Sequence, residues 1–150
     1  MCGISGRVSR SPLSADQRAG VSRMNRALIH RGPDDEGHFS TSHVSLAMRR
    51  LSIIDLDGAA QPLYNADGSI TLVFNGEIYN YRELQDQLCA EGYVFRTSGD
   101  GEVIVALFER HGLDFVHHLR GMFAIALYDA VRRRLVLARD RMGEKPLYLF

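Results

Sequence analysis

Apolar residues alternate with polar ones in one run after another of this chain, and helical patterning interrupts them only a few times. That order constrains the fold more than any other feature. A doubly wound parallel sheet needs a helix between successive strands, and here several strand-like runs follow one another directly. Met1–Arg10 reads as a strand, with Ile4 and Val8 on one face and Ser5, Arg7 and Ser9 on the other. Val44, Leu46 and Met48 alternate with Ser45, Ala47 and Arg49 and predict a half-buried strand. Ile70, Leu72 and Phe74 predict another, and Val94–Thr97 a short one. Met122–Tyr128 and Arg134–Arg139 flank a polar turn, and Leu147–Phe150 begins a further strand. Ser14 with Gln17 is a capping-box signature. It opens a helix to about His30, with Val21, Met24 and Leu28 as its inner stripe. Asn80 with Glu83 caps a second helix ending near Gly92, and a third runs from about Gly101 to His111 with Gly112 as its stop. Arg31–Gly37 and Leu56–Pro62 read as loops. The sum is an α+β domain of roughly seven strands, in two sheets packed between helices.

Charge narrows the function classes. Lys plus Arg number 18 and Asp plus Glu 18, so the chain carries no bulk charge with which to hold nucleic acid. Apolar residues at 45% and charged residues at 24% exclude wholesale disorder. Cys2 and Cys89 are too few for a disulfide framework and suit a reducing compartment. The longest apolar run, Met122–Tyr128, falls far short of the roughly 18 residues of a membrane span. No basic region followed by an apolar stretch opens the chain. These features predict a cytoplasmic protein that engages neither membrane nor nucleic acid. The chain stops inside an apolar run, so a piece of a longer polypeptide is expected. His38 and His43 approach ligand spacing, yet no Cys pair accompanies them and no metal site is expected. Arg132–Arg134 reads as a solvated turn, and no Walker-type or dinucleotide loop occurs.

Four positions could carry chemistry. Cys2 follows the initiator Met directly and is small enough for Met1 to be removed. It would then present a thiol and a free α-amine on one residue. The amine, with a reference pKa of about 7.7–8.0, can act as a base near neutrality; the alternative is a Cys that merely packs. Phe74-Asn75-Gly76-Glu77 follows a strand. Asn-Gly is a strong hairpin signal, but Asn75 and the Gly76 N–H can equally form an oxyanion hole. Arg50, at the end of its strand, can clamp a carboxylate with two parallel hydrogen bonds or lie on the surface. Asp100 can cap a helix or bind a substrate ammonium. Arg50 and Asp100 together would recognise the two charged ends of an α-amino acid.

The motifs carry a resemblance. Cys2-Gly3-Ile4-Ser5-Gly6 resembles the start of class II glutamine amidotransferases, which are N-terminal nucleophile hydrolases. His30-Arg31-Gly32-Pro33-Asp34, Arg50–Asp55, Gln61-Pro62-Leu63, Phe74–Asn80, Gly121–Ala124 and Arg139–Tyr148 look more narrowly like the glutaminase domain of glutamine-hydrolysing asparagine synthetases, in the family's order along nearly the whole chain. The resemblance implies a four-layer αββα sandwich, cut short at its C-terminus. It implies that Cys2 is the nucleophile, that Asn75 and Gly76 form the oxyanion hole, and that Arg50 holds the glutamine carboxylate. Glu77 and Asp100 would hold the ammonium, the main chain at Ile53 and Ile54 would line the pocket, and Arg31 would lie near the nucleophile. It implies L-glutamine as substrate and glutamate and ammonia as products, with no cofactor in residues 1–150.

The same resemblance implies a synthetase domain as partner, which would bring ATP and Mg and amidate aspartate; none of its ATP-binding signature occurs here. A homodimer stays open. Gly101 departs from the family, where a larger residue is common, and is expected to loosen its loop. Two alternatives stand beside this reading: an asparagine-synthetase-like amidotransferase serving another acceptor, and a catalytically silent scaffold. Glucosamine-phosphate synthase and the purine amidotransferase share the nucleophile but not the Arg50–Asp55 and Phe74–Asn80 blocks.

Overall fold

A computed structural model describes residues 2–51 and 60–150. The strands are β1 (Gly3–Val8), β2 (Asp35–Ser40), β3 (Val44–Arg50), β4 (Leu63–Tyr64), β5 (Ile70–Ile78), β6 (Gly121–Asp129) and β7 (Arg134–Arg139). The helices are α1 (Ala15–Ala27), α2 (Tyr81–Ala90) and α3 (Glu102–His111), followed by a 3₁₀ turn over Gly112–His117. One sheet has the order β1-β3-β2 and the other β4-β5-β6-β7, and every described pairing is antiparallel.

Side-chain period places the layers. In β3, Val44, Leu46 and Met48 point toward Val73, Ala126 and Tyr128 of the second sheet and form the core between the sheets. The intervening Ser45 and Ala47 are buried as well, on the face that carries α1, which packs on β1 and β3. This strand is therefore covered on both sides and not half-buried. In β5 and β6, Leu72, Phe74, Phe123, Ile125 and Leu127 face α2 and α3 and join the larger core with Val103, Ile104 and Leu107. Fully burying each such side chain contributes roughly 1.5–3 kcal/mol. Strand propensities span only about 1 kcal/mol, so burial sets which residues face inward. The layers run α1, first sheet, second sheet, α2 with α3, which is the αββα order expected.

Local departures have physical causes. Ser14 and Gln17 form the reciprocal capping box, but α1 ends at Ala27, short of His30. There the chain tightens, with Ile29 and Arg31 N–H bonding to the Arg26 and Leu28 carbonyls. Met24 is exposed, and Asn25 takes the inner position, donating to Glu36 at 3.2 Å. Strand β2 starts at Asp35, inside the expected loop; its sequence DEGHFS has no apolar alternation, and its ladder to β3 holds it. Asn80 stands at the N-cap of α2, as expected, but its side chain makes no cap bond. Its amide donates to the His118 carbonyl at 3.0 Å and accepts from the Arg120 N–H at 2.9 Å. Val94–Thr97 is not a strand, because the Arg96 and Thr97 N–H groups bond to the Glu102 carboxylate instead of a neighbouring chain. Leu147–Phe150 likewise forms no strand among the described residues. No described helix is long and apolar enough to cross a membrane.

Candidate active site

Three strands deliver their side chains into the gap between the sheets at one end of the sandwich. In β1, Ile4 faces the gap, and Cys2, two residues earlier, packs with it. In β3, Met48 faces the gap, so Arg50 does too; it is only 7% exposed. In β5, Val73 faces the gap, so Asn75 and Glu77 follow on the same side. Asn75 and Gly76 are thus inside a strand, paired with Ala124 and Phe123, and not in a hairpin turn. The close approach of β6 explains the glycine: a Cβ on Gly76 would lie 2.0 Å from the Met122 carbonyl oxygen.

Cys2, Arg50, Asn75, Gly76, Glu77 and Asp100 all line one cleft. The sequence places these residues up to a hundred positions apart, and the two sheets bring them together. Ile53 and Ile54 lie outside the described residues. The Cys2 sulfur receives the Leu51 N–H at 3.5 Å and lies 3.9 Å from the Leu51 carbonyl. Arg31 donates through Nε to the Cys2 carbonyl at 3.1 Å, holding the first strand's start by its backbone and leaving the thiol and amine unclaimed by that contact.

Asp100 does not cap a helix. Its carboxylate accepts the Ile78 N–H at 2.8 Å, and α3 has no side-chain cap. Burial raises its pKa above the ordinary 3.8, the Ile78 N–H pulls it back, and the nearby Glu77 charge raises it further. Gly101 does not loosen this corner. A Cβ there would meet Leu63 Cδ1 at 2.5 Å and Phe74 Cε1 at 2.7 Å, so the backbone of residue 101 is packed directly on the core.

Two other cleft residues lie in motif blocks of the sequence but are assigned no role there. Gln61 presents its amide to both backbone groups of Phe74, donating to the carbonyl at 3.2 Å and accepting from the N–H at 2.7 Å. It thereby braces β5 one residue before Asn75. Lys145 is buried beside the cleft. The Asp140 carboxylate aims it there by taking the Phe123, Glu144 and Lys145 N–H groups at 3.2, 2.9 and 3.0 Å. Among the described residues no group of His, Cys, Asp or Glu is arranged to hold a metal.

A small cleft with a thiol at a chain start, a strand-borne amide, a buried guanidinium and two carboxylates suits an amino acid whose side chain ends in an acyl group. The family profile described as "Glutamine amidotransferase domain" matches residues 1–150. The chain belongs to that family. This amidotransferase domain is 44% identical over 150 residues to asparagine synthetase [glutamine-hydrolyzing] 1 of Bacillus subtilis, covering 99% of the chain and 24% of that protein. It is 45% identical to the second such synthetase of the same organism, covering 20% of it. The chain spans a quarter or less of these curated relatives. Among solved structures, glutamine phosphoribosylpyrophosphate amidotransferase from B. subtilis superposes with a TM-score of 0.71 at 21% identity, over 95% of this chain and 37% of that one. That likeness shows the fold: a sandwich of two antiparallel sheets between helices.

Proposed function

We propose that the amidotransferase domain hydrolyses L-glutamine to glutamate and ammonia through a thioester on Cys2. The observation that carries this reading is the convergence of Cys2, Arg50, Asn75, Gly76, Glu77 and Asp100 on one cleft. With Met1 removed, the Cys2 α-amine accepts the thiol proton as the sulfur attacks the glutamine carboxamide carbon. The oxygen becomes an anion and is met by the Asn75 amide and the Gly76 N–H. The C–N bond then breaks, the amine returns its proton to the departing nitrogen, and ammonia leaves. Water attacks the thioester along the same proton route and releases glutamate and the thiol. Arg50 pairs with the substrate carboxylate in two parallel hydrogen bonds, while Asp100 and Glu77 receive its ammonium. The domain's own chemistry uses no cofactor.

The relatives are named as glutamine-hydrolysing asparagine synthetases, which supports a synthetase domain as the receiver of the ammonia. In this proposal that domain, not residues 1–150, binds ATP and Mg and amidates aspartate to asparagine, and the protein works in the cytoplasm. A glutamine-like electrophile tests the site directly. It is expected to label Cys2 alone, with Cys89 unlabelled and glutamine competing. Labelling that glutamine does not slow would overturn the reading.

Asp100 supplies a pH-dependent prediction. Its folded-state pKa lies above 3.8, so folding costs the charged carboxylate more than the neutral acid. The group's contribution to stability is therefore greatest at acid pH and is lost as pH rises through the raised value. Asp100→Asn keeps an acceptor for the Ile78 N–H but carries no charge. The variant is expected to melt higher than the parent at pH 7, the difference shrinking toward acid pH. Its KM for glutamine is expected to rise roughly 10–100-fold, the worth of a charge-assisted hydrogen bond of about 1.5–3 kcal/mol. Melting curves across pH and steady-state kinetics check both halves; an unchanged KM would remove Asp100 from the ammonium site.

A further inference from the structure

We infer that Glu102, outside the cleft, is a positioning residue that fixes Asp100 and so sets the preference for substrates bearing an α-ammonium. The inference rests on the reading of Asp100 given above.

Glu102 is the first residue of α3 and only 2% exposed. A carboxylate so buried is normally matched by donors. The donors here come from one place, the irregular stretch that leads to the cleft. The Arg96 N–H reaches both Glu102 oxygens at 3.1 Å, the Thr97 N–H reaches Oε2 at 2.9 Å, and the Thr97 hydroxyl donates to the same oxygen at 2.8 Å. Arg96 Nε lies 3.7 Å from Oε1, and its guanidinium also donates to the Tyr64 carbonyl of β4. One side chain thus folds residues 96–97 back onto residue 102 and closes a loop with Asp100 inside it.

Two further bonds tie that loop to its surroundings: Gln85 donates to the Gly99 carbonyl at 3.3 Å, and Asp100 itself receives the Ile78 N–H. The Glu91, Gly92 and Tyr93 N–H groups bond back to α2 carbonyls. Beyond them no helix or strand spans residues 94–101, so N–H groups there have no regular backbone ladder to join, and Glu102 is the acceptor for those of Arg96 and Thr97. Gln at this position offers one carbonyl oxygen and turns an NH₂ toward donors, so part of the closure is lost while side-chain volume is kept.

The test compares glutamine with glutaramate, which has the same carboxamide and carboxylate but lacks the α-amino group. Glu102→Gln is expected to raise the glutamine KM about tenfold, with kcat and the kcat/KM for glutaramate within about twofold of the parent. Asp100→Asn is expected to shift the same ratio further, and the double variant to match Asp100→Asn alone. Thr97→Val, which keeps the backbone bonds and loses only the hydroxyl, is expected to show a smaller shift in the same direction, and it carries the test if Glu102→Gln does not fold. A role confined to stabilising α3 predicts equal losses on both substrates, or losses that add to those of Asp100→Asn; either result overturns the proposal. If Asp100→Asn leaves the glutamine-to-glutaramate ratio unchanged, the ammonium assignment itself falls. If Asp100→Asn collapses that ratio and the Glu102 and Thr97 variants do not, the ammonium assignment stands and only the positioning role is lost.

Discussion

Replacing Cys2 by alanine is expected to bring glutamate release from glutamine to background, a loss on the order of 10⁶-fold, the scale on which removal of an enzyme's nucleophile is felt. The geometry explains why nothing else substitutes. Cys89, the second thiol, is exposed on α2, away from the cleft. The remaining cleft residues bind or polarise; none is placed with a base beside it as Cys2 is with its own amine. The alanine variant should fold, because the Cys2 side chain is only half-buried and its contacts with Leu51 are long, at 3.5 and 3.9 Å. A glutaminase assay paired with a melting curve checks the prediction. Turnover that persists in the folded variant would refute the thioester route.

The second large effect is expected at Asn75. Asn75→Ala should lower kcat by about 10²–10³, the usual worth of one oxyanion donor, with KM little changed. The amide is 5% exposed and sits in the middle of β5, paired across to Ala124 and braced by Gln61 through Phe74. A donor held this way needs no reorganisation when the oxyanion forms. The expected loss is about 2.7–4 kcal/mol of barrier. A drop of less than roughly threefold, under 1 kcal/mol, would assign the stabilisation elsewhere. The Gly76 N–H cannot be probed as cleanly, since any side chain at that residue collides with Met122.

Much of this was legible in residue order. Short motifs carry chemistry locally, and Cys2, Arg50, the Asn75–Glu77 run and Asp100 each offered a donor, acceptor or nucleophile, which the fold brings to one cleft. The alternation in β3 and β5 also marked core-facing residues, because a period of two is a property of neighbouring residues. What could not be read depends on distant partners. Strand β2 has no alternation and exists through β3. Asn80 has the chemistry of a cap but spends its amide on the 118–120 backbone. Val94–Thr97 has strand-like composition, yet its N–H groups are claimed by a single glutamate. Gln61, Lys145 and Glu102 act through partners that no spacing rule connects. Gly101 looked like slack and is a close contact, because Leu63 and Phe74 stand behind it.

The division of the cleft between two sheets has a consequence for mutations far from any substrate. Cys2 and Arg50 ride on one sheet, Asn75 and Glu77 on the other, and only a thin layer of side chains holds these two plates at their separation. Met48 and Val73, both fully buried in that layer, act as the shims of a calliper. Protein interiors are close-packed, so removing or adding even a methylene there changes how the plates sit. Under the thioester mechanism the sulfur and the oxyanion donors must both reach one carbon–oxygen unit. Apolar substitutions in this layer should therefore disturb turnover at a dose that leaves the fold intact. Residues without any polar atom thus belong among the determinants of rate.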